Sequence, residues 1–256
     1  MEENNTLFLV LRRCAFVTGF IFIIFSTITA CKKVTDVNEY DMGYDYLPYD
    51  SGTYVIYKVD SIIYNDFDYS RRYSTVYLKE KIGEQFFDNL GRLAKRVNRY
   101  YSDTLTTNWD WYNAAYIVKT KTMVERVDDN LRYVKMIFPN DINSKWLGNR
   151  LITIPPPYIL DSTNYYLSDW KYTIKERDKY FNNGYHIFDS TLLISQIQDS
   201  TAIFKTYSVE RYARNVGLIY SECWIVTGEI NIGSPWEDRA EKGFILRQYA
   251  IEYGKE

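Results

Sequence analysis

From Gly52 onward the chain consists of short runs of β-branched and aromatic residues, parted by Asp, Asn and Gly. This pattern constrains the fold more than any other feature, because such runs suit a pleated, half-buried surface and such punctuation suits tight turns. The first run, Thr53–Tyr64, reads TYVIYKVDSIIY, with Val55, Tyr57, Val59 and Ile63 on one face and Lys58 and Asp60 on the other. Further runs are Tyr73–Lys81, Tyr112–Lys121, Thr122–Val127, Leu131–Phe138, Trp170–Lys175, Tyr185–Gln198, Thr201–Tyr212, Leu218–Gly228 and Phe244–Tyr253. Turn signals stand at Asp50-Ser51-Gly52, Asp128-Asp129-Asn130, Asn182-Asn183-Gly184, Asp199-Ser200 and Asn215-Val216-Gly217. Twenty-six Tyr against 13 Phe and 6 Trp point the same way, since tyrosine favours strands and amphipathic surfaces over a helical bundle.

One stretch carries two signals. Phe86, Leu90, Leu93, Val97 and Tyr100 recur at helical spacings, yet Asp88-Asn89-Leu90-Gly91 reads as a tight turn inside that stripe. The hairpin is the reading preferred, with Arg92–Tyr101 as its second strand. No long helical pattern occurs elsewhere. The expected fold is all-β with little helix: an antiparallel meander curled into a barrel or half-barrel. Loops are expected from Pro139 to Asp161, where Pro155-Pro156-Pro157 cannot donate to a ladder, and from Ile232 to Gly243. The final run, Phe244–Tyr253, either closes the barrel against the first strand or covers an edge.

The N-terminus has a different grammar. Arg12 and Arg13 precede the apolar run Cys14–Ala30, which ends in small residues before Cys31, Lys32 and Lys33. As a helix its 17 residues would span about 25 Å, short of the roughly 30 Å hydrocarbon core, so it reads as a secretory signal rather than a permanent span. Ile28-Thr29-Ala30-Cys31 resembles the lipobox of bacterial, Bacteroidota-type lipoproteins. The resemblance implies cleavage between Ala30 and Cys31, a diacylglyceryl group on the Cys31 thiol, and a fatty chain such as palmitate on the new amino terminus. It also implies a cell-envelope location, in the outer membrane. The acids after Cys31 are scattered rather than run together as in surface-export signals of such lipoproteins, which leaves both faces of the membrane open. The chain then divides into a signal peptide over 1–30, a lipidated cysteine and flexible tether over 31–49, and one β-rich domain over 50–256. Tyr212–Glu222 is similar to a strand–turn–strand signature near the end of many such lipoproteins, which implies a hairpin and no activity.

Composition excludes much. Three cysteines, of which Cys14 is lost with the signal and Cys31 takes lipid, leave Cys223 without a disulfide partner. One histidine, His186, excludes a His-rich metal site and reads as an ordinary strand residue. A net charge of −2 and a pI of 5.7 argue against nucleic acid. The local basic cluster Arg92, Lys95, Arg96 and Arg99 therefore reads as a solvated face. No phosphate loop, dinucleotide fingerprint or nucleophile elbow is present. Asp128-Asp129-Asn130 lacks the spaced ligands of a calcium loop and reads as a turn. No cofactor, metal or catalytic residue is expected.

Two kinds of candidate site remain. In Trp109-Asp110-Trp111-Tyr112, strand alternation would place Trp109 and Trp111 on one face, where they could stack on a sugar or simply pack. Five Asp-Ser/Thr stretches are similar to O-glycosylation sites of Bacteroidota-type secreted proteins, with Ser61, Thr104, Ser162, Ser190 and Ser200 as acceptors; the same dipeptide also opens turns. The functional expectation is a lipid-anchored, non-catalytic binding or scaffolding domain. Its partners are the membrane through Cys31 and an envelope protein, glycan or hydrophobic ligand. The alternatives are a carrier with an apolar barrel cavity, and a glycan-acting hydrolase with paired carboxylates.

Overall fold

A computed structural model describes residues 40–105, 108–152, 170–231 and 233–256. Twelve strands form one antiparallel sheet: β1 (Thr53–Tyr64), β2 (Arg71–Phe87), β3 (Leu93–Ser102), β4 (Asp110–Lys119), β5 (Met123–Asp128), β6 (Leu131–Ile137), β7 (Lys145–Leu147), β8 (Lys171–Asn182), β9 (Ile187–Ser200), β10 (Phe204–Ala213), β11 (Gly217–Gly228) and β12 (Ala240–Lys255). Their order is β6-β5-β4-β3-β2-β1-β12-β11-β10-β9-β8-β7. Two six-stranded meanders are thus sewn together by the first and last strands, paired from Thr53↔Lys255 to Tyr64↔Gly243 with one register shift between Ile56 and Tyr57.

The outer edges of the two meanders come round to each other. The Val134 N–H donates to the Gly148 carbonyl at 2.7 Å, and the Trp146 indole donates to the Val134 carbonyl at 2.7 Å. The sheet is therefore an all-but-closed barrel. Gly148 is required at this seam, because a Cβ there would lie 2.4 Å from the Tyr172 ring.

Turn chemistry decides the ambiguous stretch. Asp88 Oδ1 accepts the backbone N–H groups of Leu90 and Arg92, both at 2.9 Å, and the Gly91 N–H donates to the Asp88 carbonyl. A carboxylate that satisfies its own turn this way competes successfully with a helix. Asp129 and Asn130 occupy left-handed backbone between the paired residues Asp128 and Leu131, as a two-residue hairpin requires.

Several expectations need correction. The strand Lys145–Leu147 has no counterpart in the sequence reading, which placed it in a loop. Asp199-Ser200 belongs to β9; the turn follows it, where Thr201 Oγ1 accepts the N–H groups of Ile203 and Phe204. The loop after Ile232 holds one short helix, α1 (Trp236–Arg239). β1 is buried on both faces. Val55 and Tyr57 face the barrel, while Ile62 and Tyr64 pack on the opposite face with Trp224, Ile245 and Trp236 of α1. Ile63, read as sharing a face with Val55, Tyr57 and Val59, is 37% exposed.

The largest correction concerns the tether expected over 31–49. Asp41–Tyr49 belongs to the barrel unit. A 3-10 turn over Tyr44–Tyr46 drives Tyr46 into the main core, fully buried, beside Leu47, Ile117, Met136, Tyr172, Leu192 and Ile194. Burying an aromatic ring of that size stabilises by about 2 kcal/mol or more, which offsets part of the entropy of ordering its neighbours. Gly43, with φ of 73°, starts this turn where a Cβ would strike the Asn140 side chain.

Candidate binding cavity

The barrel holds a half-open cavity of about 200 Å³. Its upper wall is apolar. Ile82 and Val97 face each other across β2 and β3, and Ile117, Val124, Leu218, Leu47 and Pro48 also line the space. Its lower wall is charged: Glu80, Arg99, Arg126, Asp128, Lys135 and Glu210. Three cations meet three carboxylates, so the wall is neutral as a whole.

The pairing is specific. Arg126 donates from Nε to Asp128 at 2.6 Å and from Nη1 to Glu80 at 2.9 Å. Arg99 donates from Nη1 to the other Asp128 oxygen at 3.2 Å. Lys135 and the Tyr212 hydroxyl take the two oxygens of Glu210, at 2.6 and 2.7 Å. Lys135 reaches the site because it is the extra residue of a bulge opposite Val124 and Glu125. Burial opposes the charge on Asp128, but Arg126 and Arg99 beside it outweigh that and hold its carboxyl below the usual range. Burial pushes the Tyr57 and Tyr212 hydroxyls well above their usual value, so both stay protonated.

The Asp41–Tyr49 segment, whose Leu47 lines the cavity, is fastened by a second set of charges. Arg214 donates to Asp41, Asp45 and Asp178, and its guanidinium lies 4.5 Å from the Tyr46 ring centre. The Tyr46 hydroxyl donates to Asp178 at 2.8 Å. Lys119 donates to the carbonyls of Tyr44 and Leu47. The Arg214 hydrogen bond lowers the Asp41 pKa to about 2.

The residues singled out from sequence lie elsewhere. Ala30, Cys31 and Ser162 fall outside the described residues. Trp109 precedes β4, so strand alternation does not pair it with Trp111. Trp111 is 54% exposed and meets Tyr100 edge-on, and neither tryptophan lines the cavity. Ser61 lies within β1, Thr104 in an exposed bend and Ser200 at the exposed end of β9. Ser190 joins the Arg214 cluster, donating to Asp178 and accepting from Arg214. The His186 ring nitrogen is 2.8 Å from the Ile251 carbonyl. Burial pushes the Cys223 thiol up to about 11. Among the described residues no group of three His, Cys, Asp or Glu could hold a metal.

The basic cluster is not one solvated face. Arg99 turns into the cavity, Arg92 pairs with Asp88 and Glu125, Arg96 pairs with Glu84, and Lys95 lies over the Tyr49 ring. The cavity charges were missed because each reads singly as a surface residue. Their one signal is a set of opposite charges inside apolar runs, Val124-Glu125-Arg126-Val127 and Val209-Glu210-Arg211-Tyr212.

No family model matches the chain, and no curated protein matches it. Three solved structures resemble it weakly. One, described as an exported protein with a YmcC-like fold from Bacteroides fragilis, has 10% identity and a TM-score of 0.35, covering 82% of this chain and 98% of that one. A second, described as a lipoprotein from Parabacteroides distasonis, has 13% identity and a TM-score of 0.31, covering 82% and 98%. A third, described as an outer membrane lipoprotein-sorting protein domain from Vibrio parahaemolyticus, has 11% identity and a TM-score of 0.22, covering 81% and 87%. The architecture above rests on the strand pairing itself.

Proposed function

We propose that this chain is a lipid-anchored lipoprotein of a bacterial cell envelope, held in the outer membrane through Cys31, and that its barrel is a non-catalytic binding domain for a small, partly apolar molecule. The observation that carries the binding reading is the cavity of about 200 Å³ under the segment that leads back to Cys31. The lipobox residues carry the anchoring. The lower wall favours binding over hydrolysis, because each of its carboxylate oxygens is already engaged by Arg, Lys or Tyr. A hydrolytic pair instead needs one carboxyl free to be protonated and a second facing it across the substrate.

Cys31→Ser tests the anchor. The wild-type chain should sediment with the outer membrane and carry the mass of a diglyceride and an acyl chain, and the variant should leave the membrane or persist as precursor. Normal maturation and sedimentation of the variant would reject the assignment. The same mass spectra report O-glycosylation, for which Thr104 and Ser200 are the exposed acceptors among the described residues.

A further inference from the structure

The lower wall of the cavity is electrically balanced but not balanced in hydrogen bonds. Both oxygens of Glu80, of Asp128 and of Glu210 already accept from Arg126, Arg99, Lys135 or Tyr212. The donors are not used up. Arg99 makes one hydrogen bond, from Nη1. Its Nε lies 3.3 Å from Glu80 without hydrogen-bond alignment and is shut off from solvent, and no described group accepts from its Nη2. Lys135 uses one of its three N–H groups. Unsatisfied donors beside an apolar wall favour an occupant that brings acceptors and negative charge at one end and hydrocarbon at the other.

Size narrows the class. A cavity of about 150 Å³ holds benzene, and drug-sized ligands take roughly 300–1,000 Å³. The space here, about 200 Å³, suits one ring or a short chain with a headgroup. We infer that the cavity binds a small carboxylate with an apolar body, its carboxylate on Arg99 and Lys135 and its body against Val97, Ile117 and Val124. This rests on reading the barrel as a binding domain, and it adds the sign and place of the headgroup.

The test uses the mature lipidated chain in lipid nanodiscs, with empty nanodiscs as the blank. Calorimetric titrations with phenylpropionate, phenylpropanol and phenylpropylamine present the same body with an anionic, neutral or cationic end. The carboxylate should bind at least about tenfold more tightly than the alcohol, a difference of about 1.4 kcal/mol, and the amine should bind weakest. Arg99→Gln should bring the carboxylate down to the level of the alcohol. Val97→Phe fills the apolar end without touching the charges and should abolish binding of both, which keeps the test decisive if Arg99→Gln fails to fold. Equal affinities, or preference for the amine, would overturn the headgroup assignment and leave the binding reading standing. If no probe binds the wild type, the binding reading falls and the headgroup assignment falls with it.

Discussion

β5 separates two arginine–carboxylate quartets that differ in one respect. On its outer side Arg92 and Arg132 meet Asp88 and Glu125; on its inner side Arg126 and Arg99 meet Glu80 and Asp128. The neighbours Glu125 and Arg126 belong to different quartets. The outer set is closed at Arg92, whose three nitrogens all donate to carboxylates. Asp88 accepts two turn N–H groups and two from Arg92, Glu125 accepts from both arginines, and a second Arg132 nitrogen donates to the Tyr116 hydroxyl. The inner set is open at Arg99. A closed set fixes a turn, whereas an open one beside a cavity leaves donors for something else. Charge composition alone does not distinguish them.

Mutation should separate the two. Arg126→Met is expected to be the most costly change, because it strands Glu80 and Asp128 inside the barrel; the loss should be about 3–5 kcal/mol in urea unfolding. A loss under about 1 kcal/mol would mean that water reaches the inner quartet freely. Asp88→Ala in the outer set removes four hydrogen bonds from a fully buried carboxylate, yet Arg92 keeps Glu125. Its cost should be about 2 kcal/mol, and backbone exchange should rise at Leu90 to Arg92 but not in the cavity.

The Arg214 cluster offers a third, pH-dependent contrast. Asp41 titrates at about 2 in the folded chain, below its ordinary 3.8. The clamp on Arg214 therefore favours folding above about pH 4, and that contribution is lost as pH falls through about 2. The gap in unfolding midpoint between wild type and Asp41→Asn should shrink over that window; a gap that stays constant would refute the clamp. The smallest effect belongs to Arg96→Gln, which breaks the exposed pair with Glu84 and should cost under about 0.5 kcal/mol by the same unfolding assay.

Most of the sheet was legible because its signals are local. Thr53–Tyr64 shows its strand in twelve consecutive residues, and Asp88 to Gly91 holds a turn whose bonds are all within five residues. The parts that were not legible depend on distant neighbours. Lys145–Leu147 is a strand only because Lys171–Thr173 pairs with it. Tyr46 is buried because Asp178, Ser190 and Arg214 converge on it from three separate strands or turns. The cavity charges depend on which face of each strand turns inward, and a bulge decides this for Lys135. Alternation cannot reveal it, since β5 carries charge toward both sides. The tryptophans at 109 and 111 stood out by residue type alone, which says nothing about where a cavity forms.

The narrow join between Val134 and Gly148 has a dynamic consequence. A hoop fastened, among the described residues, by one backbone pair and one indole has a built-in parting line. Deuterium should enter the amides flanking that line while the long ladder between β1 and β12 is still protected. Widening the hoop there would enlarge the interior without disturbing either meander.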